Sequence, residues 1–235
     1  MSGISGMTTA GVVPGTASRE RARGGIQKVA DFVTFPLRAL TLFHDDRFGL
    51  SCQATERYDY AASQVAGRCL DVGCGSNRFV REFLHGHGVG ADVYRYPDNP
   101  DGVILEDPTR FPWPDASFEA VTFLANINHV PREHRDAELA EAHRVLRPGG
   151  RIIVTMALPA VEVVVHQVIW AYDRLFGTKL DHDNERGMIE GEEYYLTGKE
   201  IRTRLSRAGF TAIVYRPFWT QWALNGMYIG SKHNG

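Results

Sequence analysis

Short apolar runs alternate with helix-length segments along most of this 235-residue chain, and that alternation constrains the fold more than any single motif does. The strand-like runs are Arg68–Val72, Gly88–Asp92, Ala120–Leu124 and Arg151–Met156. Strands separated by helices imply a parallel sheet covered on both faces. The last two runs, Thr211–Arg216 and Gly226–Ser231, have no helix-length pattern between them. So short a connection suits an antiparallel pair better than a crossover. The expected fold class is therefore α/β: a three-layer sandwich on a mostly parallel sheet, with one antiparallel strand near the C-terminus. At 43% hydrophobic residues the chain can fill such a core, and its net charge of −2 supplies no field toward nucleic acid or anionic lipid.

The segments outside the alternating core divide it further. Residues 1–25, rich in Gly, Ser, Thr and Ala, read as a disordered leader, and residues 26–66 read as N-terminal helices. From Ile26 to Phe43 the apolar residues Ile26, Val29, Ala30, Val33, Leu37 and Leu40 recur at helical spacing, and Pro36 predicts a split into two pieces. A second helix is expected over about Ala54–Val65. The remaining 67–235 read as one domain, with an insertion at about 157–198 expected to act as a lid. That insertion contains an apolar helix pattern over Val161–Phe176, with His166, Trp170 and Tyr172, followed by an acidic, aromatic stretch. Thr197-Gly-Lys-Glu200 has the form of a capping box. Asp181, His182 and Asp183 are adjacent loop residues with no partner motif to fix a geometry, so no metal is expected. Three unpaired cysteines, no signal-like leader and no apolar run of spanning length point to a cytoplasmic protein. Weak surface association through the first helix stays open, as does the oligomeric state.

The first strand runs into Cys69-Leu-Asp-Val-Gly-Cys-Gly-Ser-Asn77. Gly73 and Gly75 allow unusual backbone angles and close approach of a ligand to the main chain. A helix is expected to follow over Arg78–Leu84, offering amides at its start. The dinucleotide fingerprint GxGxxG would need a third glycine at Arg78, so a nicotinamide or flavin cofactor is disfavoured.

This loop resembles the nucleotide-binding motif of the class I S-adenosylmethionine-dependent methyltransferases, with Asn77 where glycine is commonest. Three further segments match in order. Asp92 closes Gly88-Val-Gly-Ala-Asp92. Glu106-Asp107-Pro-Thr-Arg-Phe-Pro-Trp-Pro-Asp-Ala-Ser-Phe resembles the family's adenine-binding stretch. Glu138 to Gly150, read into Arg151-Ile-Ile-Val-Thr155, resembles its helix–Pro–Gly–strand signature. Small bacterial enzymes of the methyltransferase type 11 group look most similar. The resemblance implies a Rossmann-like three-layer sandwich with a mostly parallel seven-stranded sheet, S-adenosyl-L-methionine as cofactor and S-adenosyl-L-homocysteine as product. It implies that Asp71 holds the methionyl ammonium, that Gly73, Cys74 and Gly75 line the amino-acid portion, that Asp92 accepts from the ribose hydroxyls, and that Asp107 meets the adenine amino group.

Ligands in open α/β sheets lie beyond the carboxyl ends of the strands. Ala125-Asn-Ile-Asn-His-Val130 follows the fourth strand at that edge, so Asn126 is placed beside the cofactor and Asn128 beside the acceptor. His129 is the candidate general base. The expected reaction is methyl transfer to a small-molecule acceptor, on oxygen or nitrogen, such as a natural product or sugar. An RNA or protein acceptor and a non-catalytic cofactor-binding protein are the alternatives. Without a basic, aromatic extension, nucleic acid is not an expected partner.

Overall fold

The computed structural model describes residues 23–40, 46–100, 102–159, 174 and 196–234. Seven strands form one sheet: β1 (Cys69–Val72), β2 (Gly88–Asp92), β3 (Val103–Ile104), β4 (Phe118–Leu124), β5 (Leu146–Ala157), β6 (Thr211–Pro217) and β7 (Asn225–Ser231). Their order is β3-β2-β1-β4-β5-β7-β6. β1 pairs in parallel with β2 and β4, whereas β7 runs antiparallel to both β5 and β6. The one reversed strand expected from the sequence is therefore β7. Only β3, a two-residue strand, lay below the length at which a run is recognisable.

Alternation along each strand splits the core between the two faces. Leu70, Val121, Ile152 and Val154 pack on one face with Leu139, Ala142 and Val145 of α3 (Arg132–Val145) and with Ile201 and Leu205 of α4 (Gly198–Arg207). Cys69, Ala120 and Ile153 pack on the other with Ala61 and Ala62 of α2 (Gln53–Ala62) and with Phe79 and Phe83. Thr197 caps α4, its hydroxyl accepting from the Glu200 N–H at 3.2 Å, as the capping box foretold.

Several expectations change. The helix expected at Arg78–Leu84 is a single wide turn over Phe79–Phe83, in which the Leu84 N–H reaches the Phe79 carbonyl at 3.1 Å. His85 and Gly86, both at positive φ, then turn the chain into β2. α3 ends at Val145, before Pro148; Leu146 already pairs with Phe118, and the register shifts across Pro148-Gly-Gly before the main ladder begins at Arg151. Of the expected leader only residues 23–25 are described, and there Arg23 is buried at 7% exposure. The remaining leader residues, 1–22, and the expected lid helix and acidic stretch at 160–195, with His166, Trp170, Tyr172, Asp181, His182 and Asp183, lie outside the described residues apart from Arg174.

Pro36 does not split the first helix. α1 runs unbroken from Gly25 to Leu40. A proline leaves the carbonyl four residues earlier without its helical donor, and here that carbonyl is Phe32's. The Trp222 indole N–H, 190 residues along the chain, supplies the missing bond at 2.9 Å.

α1 is also turned inside out. Its inward side carries Asp31 and Arg38, both buried, beside the buried Phe35, while Ile26, Val29, Val33 and Leu37 face outward and Phe32 lies against Trp219 and Trp222. The buried charges are balanced. Arg23 contacts Asp31 at 2.7 Å and Asp59 at 3.1 Å, Arg38 contacts Glu56 at 2.7 Å, and Lys28 reaches Asp59 at 3.6 Å. The ionic cluster fixes which side of α1 faces in.

Candidate active site

The carboxyl ends of β1, β2 and β4 converge where the strand order reverses, the usual place for a ligand in an open α/β sheet. Asp71 lies one residue from the end of β1, buried at 2% exposure. Its register partner on β4, Thr122, donates its hydroxyl to Asp71 Oδ1 at 2.6 Å. Burial pushes the Asp71 carboxyl up to about 7; the Thr122 bond opposes that rise and the negative charge of Asp92 adds to it.

The glycine loop turns tightly over the end of β2. The Gly73 and Cys74 N–H groups both donate to the Ala91 carbonyl, at 2.8 and 3.1 Å. Gly73 has φ +71°, and a Cβ there would come within 2.2–2.4 Å of the Asn126 amide. That amide in turn donates to the Val72 carbonyl at 3.2 Å. Asn126 therefore braces the loop from β4's side. Gly75, at φ +52°, has open space where a Cβ would stand, so its backbone is accessible to a ligand.

Asp92 holds the loop from the other side. Oδ2 accepts the Gly75 N–H at 2.9 Å, and Oδ1 accepts the Tyr94 N–H at 3.1 Å. Each oxygen keeps a further lone pair with which to accept from a hydroxyl. Cys74 is buried against β2, and burial pushes its thiol up to about 12, so it is a neutral packing group with no nucleophilic character. Asp107 is fully exposed on the loop after β3. One of its oxygens accepts from both the Thr109 N–H and the Thr109 hydroxyl, which holds its carboxyl below the usual range.

Asn126, Asn128 and His129 follow β4 at the same edge. A buried arginine that sequence reasoning passed over fixes their loop: the Arg135 guanidinium of α3 donates to the Val130 carbonyl at 2.8 Å and the Asn128 carbonyl at 3.1 Å. His129 is half-buried, with its backbone N–H bonded to Asn126 O at 2.8 Å. Two more residues were missed. The Asn99 amide donates to the Gly75 carbonyl at 3.0 Å and reaches Cys74 Sγ at 3.5 Å, pinning the loop from the β2–β3 connection. Tyr58 of α2 packs on Phe79 and Phe83. Its hydroxyl is pushed up by burial and then by the negative charge of Asp71. Only their type could have drawn notice, since neither residue lies in a motif.

A buried carboxylate with no cationic partner among the described residues, an accessible glycine backbone and two further carboxylates along one edge could hold an adenosyl amino acid. No group of three or more His, Cys, Asp or Glu able to hold a metal occurs among the described residues.

Residues 70–154 match the Methyltransf_11 family model, described as a methyltransferase domain. The ubiquinone/menaquinone biosynthesis C-methyltransferase UbiE of Brucella anthropi is 32% identical over 117 residues, covering 46% of this chain and 43% of that protein. The chain thus spans less than half the length of that relative. The Burkholderia mallei protein of the same name is 24% identical over 191 residues, covering 71% of this chain and 76% of that protein. In fold, the chain is similar to the Burkholderia thailandensis 1,6-didemethyltoxoflavin-N1-methyltransferase, solved with its acceptor and S-adenosylhomocysteine. The TM-score is 0.52 at 15% identity, with 94% of this chain and 93% of that one covered.

Proposed function

We infer, from its place among the class I S-adenosylmethionine-dependent methyltransferases of the type 11 group, that this chain methylates a small organic acceptor. The observation that carries the reading is the arrangement of Asp71, the open Gly75, Asp92 and Asp107 along one edge of the sheet, with the Asn126–His129 loop beside them. Asp71 takes the methionyl ammonium, the Gly73–Gly75 backbone the carboxylate end, Asp92 the ribose hydroxyls and Asp107 the adenine amino group.

When bound, the cofactor supplies a methyl carbon on a positive sulfur, whose leaving thioether is neutral. The protein therefore needs no strong donor for a departing anion. Its contribution is to hold the acceptor in line with the carbon–sulfur bond, and positioning of this kind can supply as much as ~7–11 kcal/mol. His129 takes the proton the acceptor loses as its lone pair forms the new bond to carbon. An acid–base contribution of ~10²–10⁴-fold is usual for such a group.

Two features favour a small acceptor over a polymer. The net charge is −2. The outward apolar face of α1 and the half-exposed Trp219 and Trp222 stand at the edge where β5 ends, beside the cofactor's edge of the sheet. An acceptor with an apolar or ring-bearing body has a surface there to lie on. Oxygen or nitrogen is the attacking atom; a ring carbon is the second reading, favoured by the C-methyltransferase names of the two relatives.

Incubation with carbon-13-methyl-labelled cofactor and a panel of small hydroxylated, amino and quinone-type rings tests this reading. A labelled small-molecule product is expected, and its methyl chemical shift separates the three bond types. Labelling of RNA or protein alone contradicts it. His129→Ala should lower kcat by ~10²-fold or more while cofactor affinity stays within a few-fold; an unchanged kcat removes His129 from the reaction.

A further inference from the structure

We propose that cofactor binding expels a proton from Asp71, and that Thr122 is the positioning residue that sets the pH at which it does so; the inference rests on the reading of Asp71 given above.

Asp71 and Thr122 are register partners on neighbouring strands, both on the sheet face covered by α2. They are 2% and 0% exposed, and their 2.6 Å contact is the shortest bond to the carboxylate among the described residues. The other contacts of the Thr122 hydroxyl, to the Leu70 carbonyl at 3.5 Å and Cys69 Sγ at 3.8 Å, are longer, so its single hydrogen goes to Asp71. Among the described residues the titratable groups that bear on Asp71 are Asp92 from β2, Cys69 from its own strand, Cys74 from the glycine loop and Tyr58 from α2. None of them is a cation. Arg78, at the start of the wide turn, bears on Tyr58.

A desolvated carboxylate with one neutral donor and no positive neighbour holds a proton well above the usual carboxylate range. The methionyl ammonium is a positive charge that none of the described residues brings to Asp71. When it arrives, the carboxyl O–H bond breaks, the electron pair stays on Asp71, and the proton leaves to solvent. The ammonium keeps its three hydrogens, and a carboxylate–ammonium pair remains. Above the free carboxyl's pKa the group is already ionised and nothing is released. Below it, each bound ligand displaces one proton, and affinity falls as pH falls. Losing the Thr122 bond raises the free pKa further and moves this loss to higher pH.

Calorimetric titration of the full chain with S-adenosylhomocysteine tests the linkage. From about pH 8 to about pH 6 the Kd is expected to rise about tenfold, as one proton shared over a unit of pKa requires. Buffers of different ionisation enthalpy should report close to one proton released at the lower pH. 5′-Methylthioadenosine, which lacks the amino-acid portion, should show no such dependence. Thr122→Val should move the loss of affinity to higher pH and Thr122→Ser should leave it in place, with thermal melting as the check on folding. A flat Kd for S-adenosylhomocysteine, an equal slope for 5′-methylthioadenosine, or a folded Thr122→Val variant with an unmoved profile overturns the proposal. Failure to bind S-adenosylhomocysteine at any pH overturns instead the functional reading beneath it.

Discussion

Asn77 shows how one unusual residue reorganises its neighbours. It sits at φ +57°, a conformation that asparagine tolerates better than most residues. Its side chain occupies the space above Gly90, where a Cβ would stand 2.3 Å from Asn77 Oδ1 and 2.8 Å from Cys74 Sγ. The glycine in the middle of β2 is therefore the counterpart of the asparagine in the loop. Gly90→Ala should destabilise the protein by about 1–3 kcal/mol, as overpacking of a filled site does. Adding Asn77→Gly should recover part of that loss, which thermal or urea melts of both variants would show. Additive losses would contradict the pairing. Asp92 is a second residue-scale case, since it anchors Gly75 and is the residue proposed to accept from the ribose. Asp92→Ala should raise the cofactor's KM roughly ten- to hundredfold, the effect of losing bonds to a charged acceptor, with a smaller change in kcat at saturation. An unchanged KM would place the ribose elsewhere.

At the scale of elements, α1 depends on a residue far away in sequence. The Phe32 carbonyl, deprived of its donor by Pro36, is satisfied by the Trp222 indole. Trp222→Phe should cost about 0.5–1.5 kcal/mol by removing that bond. Pro36→Ala should make the same substitution cheaper, because it restores a backbone donor to Phe32. A double-mutant cycle on melting free energies measures the coupling, and zero coupling would refute it. The example also shows what the sequence could reveal. Strands of four or more residues were legible because burial on one face or both imposes a local pattern, and β7's reversal was legible from the short connection before it. Pro36 was misread because propensity is local and its remedy is tertiary. The same division holds at the site. Asp71, Gly73, Gly75, Asp92 and Asp107 stand in contiguous motifs, whereas Thr122, Asn99 and Arg135 act through strand register and loop contacts that no spacing records.

For the whole molecule, buried carboxyl groups dictate how stability depends on pH. Glu138 of α3 is 3% exposed, and burial pushes its carboxyl up to about 8 from 4.5. A carboxyl whose folded pKa lies above its unfolded one is better protonated in the native state, so its contribution falls as pH rises between the two values. The slope for one such group is about 1.4 kcal/mol per pH unit. Asp71, raised from 3.8 to about 7, acts in the same direction. The ligand-free protein is therefore expected to lose stability between about pH 5 and pH 8, and Glu138→Gln should flatten much of that slope. Urea midpoints across the range would show it; a parent curve rising through the window would contradict the buried, protonated state. Cofactor should partly reverse the trend at the alkaline end, because it binds the folded form with Asp71 ionised.

The most direct measurement is an isothermal titration of the metal-free protein, in the presence of a chelator, with S-adenosylmethionine and S-adenosylhomocysteine. Saturable one-to-one binding of both is expected, unchanged when the chelator is omitted. No heat of binding from either ligand at millimolar concentration, in a protein shown by melting to be folded, would contradict the assignment of this site.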